Sequence, residues 1–300
     1  MSELTELAKQ DPYYRSQKRF RIFDKLKSGN PKLNVILFFS TYLTTFMAMW
    51  LPSGSWQDGL WYSTGIISIL LAHEMGHYLM CQRHGIKATL PFFIPFPLPF
   101  LNPFGTMGAV IKMESGIPSR KALFDVAVGG PLAGLVVTIP CIYYGVQLSD
   151  IIEVSSIQGT ILGESFLYAQ ISNMAIGDVA SGMDVMLHPL AFAGWAGLFV
   201  TALNLLPIGQ LDGGHIVYAL FGKQHKLVAR TALVVFGLIC IFMYPGWILL
   251  LLLIIWFGYR HPPTLDDTPI DKKRFVIGIL TLIIFVLSFT PEPFKFVELQ

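Results

Sequence analysis

The sequence predicts an all-α polytopic membrane protein, with about six to seven transmembrane helices, a proline-rich re-entrant loop and a short β-strand. Three observations carry that expectation. Hydrophobic residues make up 53% of the chain and charged residues 13%, with a mean hydropathy of +0.58, whereas soluble domains carry about 25% charged residues. Apolar runs long enough to cross or nearly cross a bilayer recur from about residue 34 to residue 290. Lysine and arginine collect in alternate loops between those runs, and so on one side of the membrane, as in cytoplasmic loops. The formal charge of +2 is too small to point to nucleic acid as a partner. Cys81, Cys141 and Cys240 lie in or beside apolar runs without paired spacing. They read as small buried hydrophobes, not as disulfides or metal ligands.

Residues 1–33 hold eight Lys and Arg residues and form a cytoplasmic N-terminal segment. About thirty polar and charged residues are too many for a signal n-region, so no cleavable signal is expected. Spans follow at about 34–51 and 60–81. Residues 86–115 contain Pro91, Pro95, Pro97, Pro99 and Pro103, which forbid a regular helix. From 106 to 114, Met107, Ala109, Ile111 and Met113 alternate with Thr106, Gly108, Val110, Lys112 and Glu114, a strand pattern. This segment is expected to re-enter the bilayer and present a strand with a free edge.

A third span covers about 122–146. Gly130 and Gly134 have the small-x-x-x-small spacing that lets two spans approach. The loop at about 147–188 holds Asp150, Glu153, Glu164, Asp178 and Asp184 but no Lys or Arg, and reads as an extracytoplasmic loop or partly ordered cap. The fourth span, about 189–207, stops at Pro207. Residues 228–258 exceed a normal span and have Pro245-Gly246 near their middle, so they form one kinked helix or a hairpin. A hairpin leaves 20 of the 21 Lys and Arg residues on one side, and seven crossings with a cytoplasmic N-terminus are favoured. The last span is about 275–290. The domain division is therefore 1–33, a membrane core at 34–220, and C-terminal helices and tail at 221–300.

Within the second span, the stretch "LLAHEMGHYLM" places His73, Glu74 and His77 where ionisable groups are costly and by default functional. His73 and His77 are four apart, so they share one helix face and can bind one ion. H-E-x-x-H is the spacing in which two imidazoles hold zinc and the glutamate acts as general base. A catalytic zinc takes a third protein ligand. Asp212, in "FVTALNLLPIGQLDGGH", is the other carboxylate in a strongly apolar context flanked by helix breakers, with His215 the nearest rival ligand. His84, His188, His215, His225 and His261 lie at span ends or in loops and are expected to be solvated.

His73-Glu74-Met75-Gly76-His77, together with Phe199, Asn204, Pro207, Leu211, Asp212 and Gly213 in an F-x4-N-x2-P-x3-L-D-G pattern, resembles the site-2 protease family of intramembrane zinc metalloproteases (M50-type). "FGTMGAVIKMES", "GGPLAG" and "HPLAFAGWAGL" are similar to its bacterial and chloroplast branch. The likeness covers roughly residues 60–220. It implies one zinc per chain bound by His73, His77 and Asp212, with Glu74 as the catalytic base. It carries Asn204 over as substrate or transition-state support, beside the plainer reading of a helix-packing hydrogen bond. Many relatives carry an extracytoplasmic PDZ domain, and the loop of about 42 residues here is too short for one.

The reading implied is an intramembrane zinc endopeptidase that cleaves within or near transmembrane segments of single-span membrane proteins in the lipid bilayer, in some cases after an upstream protease has trimmed them. The membrane would be that of a bacterial or archaeal cell or of an organelle such as the chloroplast. The strand, including Gly108 and Val110, would hold an unwound substrate by strand addition. The competing reading is a non-hydrolytic membrane protein, either a metal transporter or a degenerate substrate-binding relative. A transporter should show half-repeats or ligands spread along a path, and a degenerate relative should have lost a ligand or Glu74. Neither feature is present.

Overall fold

The computed structural model describes residues 31–98, 101–113, 117–153, 160–257, 261 and 263–296. The basic N-terminal segment, Pro99, Glu114 and Arg260 lie outside the described residues. Helices α1 (Pro31–Ser53), α2 (Trp56–Arg83), α3 (Arg120–Gln147) and α5 (Pro189–Asn204) fall on the first four apolar runs. Between α3 and α5 lies the shorter α4 (Phe166–Ile176), and after α5 come α6 (Asp212–Phe221), α7 (His225–Phe242), α8 (Ile248–Phe257) and α9 (Lys272–Ser288). Local chemistry sets the starts: Ser55, Ser119 and Asp271 accept N–H bonds from Asp58, Ala122 and Arg274 as N-caps of α2, α3 and α9. Helical stretches 31–53, 120–147 and 212–242 are long and apolar enough to cross a membrane, and the protein is a mostly helical membrane protein.

Helices α2, α3 and α5 form the centre of the fold, and small residues bring them together. A Cβ on Gly76 would stand 2.2 Å from the Gly129 carbonyl oxygen, one on Gly145 2.2 Å from the Ala191 nitrogen, and one on Gly194 2.6 Å from Ile142. Such contacts matter in lipid, where packing and not water exclusion holds helices together.

Strands β1 (Phe92–Pro95) and β2 (Thr106–Val110) pair antiparallel, with Phe92 opposite Val110 and Pro95 opposite Thr106. Beyond them Ala88 bridges Met113. The hairpin base packs with Cys81 and Ile86, while at its tip the Tyr62 hydroxyl donates to the Phe104 carbonyl at 3.0 Å. From Cys81 to Tyr62 is about 28 Å along α2, so the hairpin runs along about two thirds of that helix. Gly105 (φ +69°) turns the tip against α1, where a Cβ would meet the Thr44 carbonyl oxygen at 2.5 Å.

The acidic loop is more ordered than its sequence suggests. Strand β3 (Asp150–Glu153) pairs antiparallel with β5 (Met183–Met186), and β4 (Thr160–Leu162) pairs with β6 (Phe294–Phe296) from the end of the chain. At 243–247 the chain breaks between α7 and α8, with a 3₁₀ turn at Pro245–Trp247. Phe236 and Trp247 have ring centroids 5.8 Å apart, although a continuous helix would separate their Cα atoms by about 16 Å. The chain therefore turns back there.

Candidate metal centre

His73, Glu74 and His77 are 5%, 6% and 7% exposed, so all three ionisable groups are buried on one stretch of α2. Gly130 and Gly134 on α3 leave room for the imidazoles themselves: a Cβ at Gly130 would lie 2.2 Å from His77 Nε2, and one at Gly134 3.3 Å from His73 Cβ. The small-residue spacing thus accommodates these side chains as well as the helix approach.

Asp212 arrives on a tight turn. Helix α5 ends at Asn204, Gly209 takes φ +63°, and α6 begins at Asp212, whose carboxylate stands at a helix N-terminus that favours negative charge. Side chains at the next two positions are excluded, since a Cβ on Gly213 would be 1.9 Å from the Leu205 carbonyl oxygen and one on Gly214 2.4 Å from that of Gly209.

His73 Nε2 and His77 Nε2 are 3.1 Å apart, and each is 3.3 Å from Asp212 Oδ2. His77 Nδ1 donates to the Val126 carbonyl at 2.8 Å, which leaves a lone pair on Nε2 in the neutral ring. Two imidazole nitrogens and a carboxylate oxygen therefore converge on one point, a donor set suited to zinc. Asn204 Nδ2 lies 3.3 Å from His73 Nε2.

These groups open on a cavity of about 230 Å³, whose walls include Glu74, Asn204, Asp212 and His215 on one side and Ala109, Val110, Ile111 and Met113 on the other. Thr89 N–H donates to the Lys112 carbonyl, so alternation turns Lys112 and Val110 toward β1 and Ile111 and Ala109 toward the other edge. The Ile111 N–H accordingly faces the Glu74 carboxylate. The Gly108 N–H is engaged by Thr106 Oγ1 at 3.0 Å, and Val110 pairs with Phe92 while its side chain lines the cavity.

The expected solvated histidines are in fact held. His225 and His261 are 5% and 9% exposed, and His215 Nδ1 lies 2.6 Å from His261 Nε2. His84 Nε2 donates to Asp125 Oδ2 at 2.8 Å, and His188 caps α5 through Nδ1. Sequence reasoning passed over Asp125, which also takes two 2.7 Å bonds from Arg274. Its signal was a carboxylate inside an apolar span, the same one that marked Glu74.

A mostly helical membrane protein with an H-E-x-x-H helix, an aspartate from a second helix and a cavity lined by both carries the donor set of a helix-borne zinc site. Residues 61–244 match peptidase family M50, and the chain belongs to that family, the site-2 proteases. It is 31% identical over 249 residues to probable zinc metalloprotease EGY2, chloroplastic, of Arabidopsis thaliana, an alignment that covers 80% of this chain and 43% of that protein. It is 38% identical over 177 residues to probable zinc metalloprotease EGY1, chloroplastic, of Oryza sativa subsp. japonica, covering 56% and 29%. With EGY1 of Arabidopsis thaliana the identity is 33% over 244 residues, covering 76% and 42%. The chain spans less than half the length of these relatives.

Proposed function

We propose that the protein is an intramembrane zinc endopeptidase that cleaves peptide bonds within or near the transmembrane segments of single-span membrane proteins. The observation that carries this reading is the convergence of His73, His77 and Asp212 on one point beside Glu74, at a cavity whose far wall is a strand edge. The three side chains would hold one zinc, which supplies Lewis acidity, polarising a carbonyl and bringing water to a pKa of roughly 7.

Glu74 takes the proton of the attacking water and returns it to the departing amine. Its burial beside the donor set keeps that exchange away from bulk solvent. Ala109 offers its main-chain N–H and carbonyl, and Ile111 its carbonyl, to an unwound substrate by strand addition, with Gly108 shaping the strand and Val110 lining the cavity. Asn204 supports the transition state from the His73 side.

For topology, we place 1–33 and 86–115 toward the cytoplasm, the second as a re-entrant loop, and 147–188 outside. The catalytic core is 34–220 and the C-terminal helices 221–300, with seven crossings in all. The membrane is that of a bacterial or archaeal cell or of an organelle such as the chloroplast, the last supported by the names of the similar proteins.

Glu74→Gln is the direct test. In the purified full chain it should lower cleavage of a single-span substrate by about 10²–10⁴-fold and leave zinc content unchanged, because a base and not a ligand is lost. His73→Ala, His77→Ala and Asp212→Ala should lower zinc content as well. Normal turnover by Glu74→Gln, or full zinc in Asp212→Ala, would overturn the assignment.

A further inference from the structure

Asp212 and His215 are three apart in the first turn of α6 and share its cavity-facing side. His215 uses Nδ1 toward His261 Nε2, at 2.6 Å and with the two rings nearly perpendicular at 87°. Among the described residues nothing meets His215 Nε2, and that atom is not among the buried unpartnered ones. It is therefore the polar atom His215 offers to the cavity it lines.

His261 is well placed to hold this ring. It is 9% exposed and stacks on Tyr218 at 4.3 Å and 16°. The Tyr218 hydroxyl in turn receives the Thr264 N–H at 3.3 Å and donates to Asp267 Oδ1 at 3.4 Å. The segment carrying His261 is strapped to the start of α3: Leu265 N–H donates to Ile117, Asp266 N–H to Pro118, and Arg120 N–H to Asp266. A neutral imidazole whose Nδ1 accepts a hydrogen bond must carry its proton on Nε2.

Building on the endopeptidase reading, we propose that His215 donates from Nε2 to the oxygen of the scissile carbonyl as negative charge develops there, and that His261, donating to Nδ1, fixes the tautomer that makes this possible. His215 is then a catalytic residue and His261 a positioning residue acting through it. No proton leaves either ring in this role. The donor waits where the charge will form, which is how oxyanion stabilisation lowers a barrier without reorganisation.

The test combines kinetics, metal content and ring spectroscopy on the purified full chain. His215→Ala should lower kcat by about 10²-fold, with KM within about threefold and zinc per chain unchanged. His261→Ala should lower kcat by about tenfold, His261→Gln should recover part of that loss through its N–H, and adding His261→Ala to His215→Ala should change nothing further. Nitrogen-15 NMR, resolving seven histidines, should show His215 with its proton on Nε2 and a mixture of tautomers in His261→Ala. Wild-type kcat in His215→Ala, zinc loss in that variant, additive losses in the double variant, or a His215 Nδ1 proton in the unsubstituted protein would each overturn the proposal. Failure of the endopeptidase reading looks different: Glu74→Gln would stay active or a chelator would leave cleavage untouched, whatever His215 does.

Discussion

Gly130 is the residue at which the packing of the bundle and the shape of the metal site become one constraint. Its missing side chain is the space His77 occupies, since a Cβ would fall 2.2 Å from Nε2, the ligating atom. The ring cannot retreat easily, because Nδ1 is held by the Val126 carbonyl at 2.8 Å. Gly130→Ala should therefore displace a ligand and lower zinc affinity by about 10–100-fold, the usual cost of disturbing a ligand's support. At Gly134 the added carbon would stand 3.3 Å from His73 Cβ, a few tenths of an ångström too close and within reach of relaxation. Gly134→Ala should keep its zinc and show activity within about threefold of wild type, with an overpacking cost of about 1–3 kcal/mol in stability. Metal analysis of the two purified variants checks both, and equal zinc loss in the pair would mean that helix spacing, not ligand space, is what these glycines protect.

Among the elements, the β1–β2 hairpin has two edges with different duties. Val110 faces β1 and belongs to the hairpin's own ladder, whereas Ala109 and Ile111 turn outward to the cavity and Glu74. Ala109→Pro removes an outward donor without touching the ladder, and a main-chain hydrogen bond is worth about 0.5–1.5 kcal/mol. We expect KM for a helical single-span substrate to rise about tenfold at unchanged zinc content, while Ala109→Ser, which keeps the N–H, stays near wild type. Steady-state kinetics on both variants decides it, and an unaltered KM in Ala109→Pro would reduce the hairpin to scaffold.

The elements that were legible in the sequence share a cause with those that were not. The i, i+4 histidines, the proline run and the alternation at 106–113 are local signals, as is the expense of a carboxylate at Asp212 in an apolar stretch. The pairing of Thr160–Leu162 with Phe294–Phe296, the bond from His215 to His261 and the Asp125–Arg274 pair join residues far apart in the chain. No periodicity announces such partners. Asp125 stands in the sequence as a carboxylate inside an apolar span, but nothing local marks Arg274, 149 residues later, as its counter-ion.

For the molecule as a whole, strand pairing bears on how many times the chain crosses the membrane. Strands β4 and β6 are hydrogen-bonded, so the acidic loop and the end of the chain stand on one side. On the proposed topology α5 and α9, which lie between them, cross once each, and the total must be even. On that topology the stretch from α7 through α8 goes out and returns. Its turn fits that course, because Trp247 Nε1 donates to the Pro291 carbonyl at 2.8 Å, just beyond α9 and next to β6. A single crossing there would put residue 268 outside and residue 295 inside, which would separate β6 from β4. Cysteines introduced at Gln170 and Lys295 should therefore react with a membrane-impermeant thiol reagent added outside. Those at Lys226 and Thr268 should react only from the cytoplasmic face, over a background of Cys81, Cys141 and Cys240 that are all buried. Labelling of Thr268→Cys from outside would make 228–258 a single span, and would require the pairing of the chain's last strand with the cap to be abandoned with it.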